Sequence, residues 1–574
     1  MAGLPVSEQE LKTILVDELE VVTEDDFQQA RTMARRLRVP IERALVERTR
    51  VPHRFLLEQV ALAWNVGFID LKTGDVDRDA MRLLPEDLCR ARTMMAFART
   101  TNELHLAMED PRDRKSIVEV ERKTGLKVVP FLAPTISLQR ALLLYRSDLF
   151  ELMQSRGDVT APQVFSPDMP APELVQRLLE FAVVSRASDV HIEPFEIEMV
   201  VRYRIDGELQ EVVSLPVAAA GPLVTRLKVM AGMRLDEKRA PQDGRFEAQL
   251  SGIGIDLRVS SLPTLWGEKV VMRVLLRDGM VLDLQNLGLS QGDHQTLIGH
   301  IMRPFGMILV TGPTGAGKTT SLYALLMRVA TERRSVINIS TIEDPIEYTI
   351  PRVTQTAVNV AAGMDFAGGL RALLRQDPDV IMVGEVRDRE TAEIGVRSAL
   401  VGRLLLSTLH TNDATSAVPR LLDMGIEPFL LASTLGVVIA QRLVRRLCTN
   451  CRETLPMSDI VLRGLQDRAD FPALISALRR RGTISAIGDP FASVSLFRGR
   501  GCAQCNGTGF RGRVGIFELF EISDLVRRMI MDRRDAAAIR DAAMGEGMIT
   551  LFQDGVAKAL LGETTVEEIF KAAV

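Results

Sequence analysis

Gly312-Pro313-Thr314-Gly315-Ala316-Gly317-Lys318-Thr319-Thr320 matches the phosphate-binding loop pattern G-x-x-x-x-G-K-[ST] at every specified position. The run before it, Gly306-Met-Ile-Leu-Val310, is short, apolar and β-prone. After it, Leu322, Leu325, Leu326 and Val329 recur at helical spacing. Strand, glycine loop and helix form the context the motif requires, because backbone N–H groups and the positive end of the helix dipole then converge on polyphosphate. In that setting Lys318 reaches the β and γ oxygens and Thr319 places its hydroxyl on Mg²⁺.

Three further strands are predicted beyond the loop. Val336-Ile-Asn-Ile-Ser-Thr-Ile342 runs into Glu343-Asp344-Pro345-Ile346-Glu347, and Val380-Ile-Met-Val383 delivers Gly384-Glu385. Leu404-Leu-Leu406 leads into Ser407-Thr408-Leu409-His410-Thr411-Asn412-Asp413. Acids and polar groups at the C-terminal ends of parallel strands sit where open α/β sheets place their ligands. Gly384 stands where a magnesium-binding acid is usual, which shifts the carboxylate work to Glu385 and the Glu343/Asp344 pair.

The chain has 574 residues, enough for about four domains. Its composition, 46% hydrophobic and 25% charged, is that of a globular protein. A net charge of −4 and a pI near 6.0 argue against nucleic acid as the main partner. No basic start followed by an apolar run and a cleavage site is found, so a cytoplasmic location is expected. The most apolar stretch, Phe429 to Ile439, falls well short of the roughly 20 residues that span a bilayer. Membrane association is therefore expected only through partners.

Residues 1–150 read as mostly helical, with Thr23 starting a helix, a strand at Val66 to Leu71, and His53, His105 and Cys89 as ordinary surface or core residues. Residues 151–172 read as a Pro- and Gly-rich linker. Residues 173–285 read as α+β, with a helix at Leu174–Val184, a strand at Met199–Ile205 turning at Asp206-Gly207, and arginines at 202, 204, 226, 239, 245, 258 and 273. Residues 286–445 form the motor core. Cys448-x-x-Cys451 and Cys502-x-x-Cys505 supply four of the five cysteines, a set suited to a closed tetrahedral Zn²⁺ site within 446–514. Residues 456–500 read as an insertion there. Residues 515–574 read as helices, with Ser523, Thr550 and Thr565 as caps.

Over almost its whole length the chain resembles the secretion ATPases of type II secretion and type IV pilus assembly. The resemblance rests on Ala187–Pro194, Tyr203–Gly207, Pro241–Arg245, Arg258–Ser260, the phosphate loop, Thr341–Glu347, Leu374–Glu385, Ser407–Ala414, and the cysteines with Gly509–Gly515. It implies an α/β fold: a RecA-like P-loop ATPase core preceded by a PAS-like α+β domain, a mostly helical N-terminal region and a C-terminal zinc-binding subdomain. It also implies a homo-hexameric ring, peripheral on the inner membrane. Residues 1–150 would dock the cytoplasmic domain of an inner-membrane secretion or pilus protein, and the ring would drive a platform protein that assembles pilin-like subunits. Lys318 and Thr319 would bind ATP and Mg²⁺, Glu343 and Glu385 would polarise the attacking water, and His410 would meet the phosphate end. Arg204, Arg239, Arg245 and Arg258 would close over the phosphates.

Two departures stand out. Val401-Gly402-Arg403 replaces the Thr-Gly-His that commonly opens the histidine box, so Arg403 would supply a fixed charge there. Arg36-Leu37-Arg38, and Leu45-Val46 followed by no glycine, depart from the pattern of relatives that bind cyclic di-GMP, which is not expected as a ligand. The leading expectation is an ATPase powering pseudopilus assembly for type II secretion, with pilus extension as the alternative. A nucleic-acid-dependent motor is the alternative of another class, opposed by the acidic balance.

Overall fold

The apolar run before the glycine loop becomes an interior strand of a seven-stranded sheet in the computed structural model. The structure describes residues 6–19, 21–37, 41–49, 53–71, 75–145, 169–250, 253–276, 284–333, 337–485, 491, 494–505 and 507–573. Two compact units are present, Met1–Val281 with Ala503–Gly507, and Leu282–Cys502 with Thr508–Val574.

The first unit begins with helices, among them Glu24–Leu37, Ile41–Thr49 and His53–Ala63. Beyond them the N-terminal region stays mostly helical, as expected, but it also holds a small sheet. Strands β1 (Gly67–Phe68), β2 (Met94–Arg99), β3 (Glu103–Met108) and β4 (Lys127–Leu132) form a sheet in the order β1-β4-β3-β2. Short, nearly continuous apolar runs such as Met94-Met-Ala-Phe97 lack the alternation that marks a half-buried strand, which is why they escape a periodicity reading. Cys89 lies in this core, as expected, and the ring of His105 packs tilted against those of Phe97 and Phe131. Most of the expected linker, 151–168, lies outside the described residues, and a helix starts at Ala171 and runs to Val184.

An antiparallel sheet of six strands follows: β5 (Asp189–Pro194), β6 (Glu198–Ile205), β7 (Glu208–Pro216), β8 (Gln242–Leu250), β9 (Ile253–Thr264) and β10 (Gly267–Leu276), in the order β7-β6-β5-β10-β9-β8. Asp206 and Gly207 both have positive φ, the conformation that a two-residue hairpin matched to strand twist demands. Val190, Ile192, Val201, Tyr203, Leu257 and Met272 are buried in one core with the helices Ala171–Val184 and Ala220–Met230.

In the second unit β11 (Gly306–Thr311), β12 (Ile339–Glu343), β13 (Thr354–Ala357), β14 (Val380–Val383), β15 (Leu404–Leu409) and β16 (Leu435–Leu447) are parallel, in the order β13-β12-β14-β15-β11-β16. Strand β19 closes the edge antiparallel to β16; it spans Phe510–Glu521, after β17 (Arg452–Pro456) and β18 (Ser495–Gly499), which pair with each other. The expectation of helices throughout 515–574 is thus corrected at its start. Beyond β19 the helices come as expected: Ser523 caps Asp524–Met531, Thr550 forms a capping box for Leu551–Leu560, and Thr565 accepts from the Glu568 N–H ahead of Val566–Ala573. The strands of this sheet read as continuous apolar runs because both faces are covered, by the helices Lys318–Glu332 and Arg389–Leu400 among others.

Candidate nucleotide site and tetracysteine cluster

The loop joins β11 to the helix Lys318–Glu332. Its glycines answer a physical need. Gly312, Gly315 and Gly317 hold positive φ, and a Cβ on Gly312 would lie 2.5 Å from the Gln441 carbonyl oxygen. On Gly317 it would lie 2.9 Å from Gln441 Nε2, so β16 passes too close to admit side chains. Gln441 is itself buried and accepts from the Ser321 hydroxyl at 2.6 Å, tying β16 to the loop helix. Pro313, Thr314 and Thr319 are exposed, Ala316 is buried, and Thr320 is half-buried. The Lys318 ammonium folds back over the loop, donating to the Gly312 and Pro313 carbonyls at 2.6 and 3.2 Å. Burial lowers its affinity for a proton, Glu385 opposes that shift and Arg442 adds to it.

The acids at the strand ends differ sharply. Glu343 is 2% exposed. It accepts hydrogen bonds from Tyr323 on the loop helix, from Thr341 at 2.7 Å and from Gln355 at 3.1 Å. Its neighbour Asp344 is exposed. Glu385 instead faces the strand ends. Its backbone is held where Gly384 accepts from the Thr408 hydroxyl at 2.8 Å and Val386 donates to the Thr408 carbonyl at 3.0 Å. The Glu385 carboxylate meets Arg387 at 2.6 Å and His410 Nε2 at 3.4 Å. The structure therefore brings together Lys318, Glu385 and His410, while Glu343 is closed off by burial and its own hydrogen bonds.

Arg403 is corrected. It precedes β15, at the opposite end of that strand from His410, and its guanidinium lies 3.7 Å from Asp377. Six strand residues cover roughly 20 Å, so Arg403 supplies no charge at the phosphate end.

The arginines of the first unit have a common geometry. Directly paired residues run Arg204, Asp189, Arg273, Arg258 and Arg245 across β6, β5, β10, β9 and β8. Paired residues share a face, so four arginines form one transverse row around a single acid, on the side opposite the core. Asp189 takes Arg204 at 3.5 Å and Arg273 at 3.4 Å. Arg239 stands apart, exposed on a loop shaped by Glu237, which accepts the Arg239 and Ala240 N–H groups.

The sequence reading missed Tyr323, Gln355, Gln441 and Arg442. The polar pair Gln441-Arg442, interrupting an otherwise apolar strand, was the available signal. Nothing in the spacing of Tyr323 or Gln355 marks them.

Cys448, Cys451, Cys502 and Cys505 bring their sulfur atoms within 4.8 Å of one another. Cys448 Sγ and Cys502 Sγ lie 3.8 Å apart, the edge expected of a tetrahedron with sulfur about 2.3 Å from its centre. Asn450 Nδ2 donates to Cys502 Sγ at 3.6 Å. A Cβ on Gly499 would lie 2.1 Å from the Gly509 carbonyl oxygen, so the two chain segments meet backbone to backbone beside the cluster. The four thiols fit Zn²⁺.

Comparison with known proteins agrees with this geometry. Residues 166–571 match the model of the type II/IV secretion system protein family, and residues 64–150 match the MshEN domain. The type IV pilus assembly ATPase PilB of Thermus thermophilus is 38% identical over 548 residues, 93% of this chain and 59% of that protein. This chain thus spans 59% of the Thermus relative's length. PilB of Myxococcus xanthus is 37% identical over 92% of both chains. Type II secretion system protein E of Dickeya dadantii is 46% identical over 404 residues, 70% of this chain and 76% of that one. The Legionella pneumophila ATPase DotB shares the fold, with a TM-score of 0.52 at 19% identity, covering 72% of this chain and 98% of that chain. Among the described residues no helix is long and apolar enough to cross a membrane.

Proposed function

The chain belongs to the type II/IV secretion system protein family and is an ATPase of it, and from that premise we propose that its hydrolysis of ATP powers pseudopilus assembly for type II secretion. The acting form is a homo-hexamer, peripheral on the inner membrane through its partners. Lys318 and the loop N–H groups hold the β and γ phosphates, Thr319 takes Mg²⁺, and Asp344 stands at the edge of the same site. Glu385 directs the attacking water and His410 orients Glu385. Glu343 acts by holding the strand end rather than by meeting water. Arg204, Arg239, Arg245 and Arg258 supply positive charge to the triphosphate. Bound Mg²⁺ would neutralise charge on the phosphates, and Zn²⁺ would hold the four cysteines as a structural centre.

The observation that carries this reading is Glu385. It is the acid at the strand ends that both meets His410 and acts on the Lys318 ammonium. Turnover of ATP by the full chain, abolished in Lys318→Ala, tests it; equal turnover in that variant would end it.

Pilus extension is the second reading, favoured by the reach of the PilB matches over 92% and 93% of this chain. Binding of residues 1–150 to the cytoplasmic domain of a secretion anchor or of a pilus anchor separates the two. The MshEN match over 64–150 also gives cyclic di-GMP a place as a second ligand of this region, against the departures at Arg36-Leu37-Arg38 and Leu45-Val46. Calorimetric titration of the full chain with cyclic di-GMP decides between a docking role alone and docking with nucleotide control.

A further inference from the structure

Behind the phosphate loop, wholly within the second unit, lies a cavity of about 340 Å³, room for on the order of ten waters. Its wall carries three guanidinium groups, Arg442, Arg468 and Arg540, and three carboxylates, Asp413, Asp470 and Glu518. The carboxylates are already engaged. Asp470 takes Arg468 at 2.8 and 3.1 Å, and Asp413 accepts from the Ser416 N–H at 2.8 Å and the Thr415 hydroxyl at 2.9 Å. Glu518 accepts the N–H groups of Ala414 at 2.8 Å and Leu551 at 3.3 Å.

Two of the cations are not so committed. Among the described residues Arg442 donates only to backbone carbonyls, of Asn412 at 2.7 Å and Gln441 at 3.2 Å. Arg540, half-buried on the helix Ala536–Gly545, makes no hydrogen bond or contact ion pair among the described residues; Asp413 and Glu518 feel its charge only at a distance. A guanidinium offers five N–H groups in a planar fork suited to an oxyanion. The unspent capacity of the cavity is therefore for a small anion.

Arg442 joins this cavity to the loop. A Cβ on Gly312 would lie 3.3 Å from Arg442 Nη1, and Arg442 acts on the Lys318 ammonium. Asn412, also in the wall, follows Thr411, whose hydroxyl meets Thr311 at the end of β11 at 2.6 Å. Arg442 thus borders both the loop that carries Lys318 and the cavity wall that it shares with Arg540. We propose that the cavity is a transient site for a phosphate oxyanion, the inorganic phosphate released by hydrolysis at the Lys318 loop. The inference rests on the ATPase reading above.

The test uses the full chain saturated with Mg²⁺ and a non-hydrolysable ATP analogue, so that the γ-phosphate position is filled. Equilibrium dialysis with radiolabelled inorganic phosphate is expected to show a second, saturable site. Arg540→Gln, and Ala572→Glu, which adds a carboxylate to the cavity wall, should each weaken it roughly tenfold or more, while Arg540→Lys retains most of it and analogue affinity is unchanged. Two variants on different helices guard against a folding defect in one of them. Absence of phosphate binding in the wild type, or binding by Arg540→Gln and Ala572→Glu equal to wild type, overturns the inference. A chain that binds the analogue and hydrolyses ATP yet takes up no second phosphate defeats this inference alone; a chain that does neither defeats the ATPase reading.

Discussion

The Tyr323 hydroxyl, on the loop helix, donates to the carboxylate of Glu343 at the end of β12. Both residues are buried, and the Glu347 N–H donates back to the same hydroxyl at 3.2 Å. The bond ties the helix that would sense phosphate to the strand that carries the acidic segment. Burial, and then Glu343, push the Tyr323 phenol well above its usual range, so it stays a donor throughout the working pH range. Glu343, with three donors around it, has little capacity left for a water molecule.

Tyr323→Phe is expected to leave Glu343 buried with one donor fewer, at a cost of about 1–3 kcal/mol. Thermal unfolding should show a fall of a few degrees, with ATP turnover reduced far less than in the Glu385 variant described next. An unchanged midpoint would mean that the bond contributes nothing.

Glu385→Gln should bind ATP with wild-type affinity while kcat falls roughly 10²–10⁴-fold, since the loop binds phosphate and the carboxylate directs water. Fluorescent-analogue binding and steady-state turnover measure the two separately. Full activity would pass the water-directing role to another acid, Asp344 being the exposed one nearby.

Elemental analysis of the full chain should find one zinc per chain, lost together with local stability in Cys448→Ser. Limited proteolysis across 446–514 provides the second readout. A metal-free chain with an intact, protease-resistant subdomain would remove the structural role of the cluster.

His300 is buried, and its Nε2 lies 2.9 Å from Glu521. Burial lowers its proton affinity, and the Glu521 hydrogen bond only partly opposes this. Its folded-state pKa therefore lies below the 6.5 of the unfolded chain, so the unfolded chain binds the proton more tightly in that window. Stability is complete above about pH 6.5 and declines as pH falls from there towards the folded-state value. His300→Gln should flatten this part of the midpoint-against-pH curve relative to wild type, and identical curves would assign the slope to other groups.

Much of the second unit was legible beforehand because its signals are local. A glycine loop between an apolar run and a 3.6-residue period can be read without knowing the fold, and β11, β14, β15 and the loop helix lie where those patterns place them. The same holds for the Asp206-Gly207 turn, where both residues take positive φ, and for two C-x-x-C pairs that converge despite 50 residues between them.

What the chain determined by itself is its local chemistry: a loop for phosphate, acids after apolar strands, four thiols and a turn. Which acid is open and which is closed came only from the tertiary structure, because Tyr323, Thr341 and Gln355 reach Glu343 from three different elements. Arg403 shows the same rule in reverse. Its place beside a histidine-box motif suggested a phosphate-end charge, yet the direction of β15 carries it to the far edge of the sheet. Pairing across strands, not spacing along the chain, set the arginine row, since hydrogen-bond register joins residues that the sequence keeps 13 to 84 positions apart.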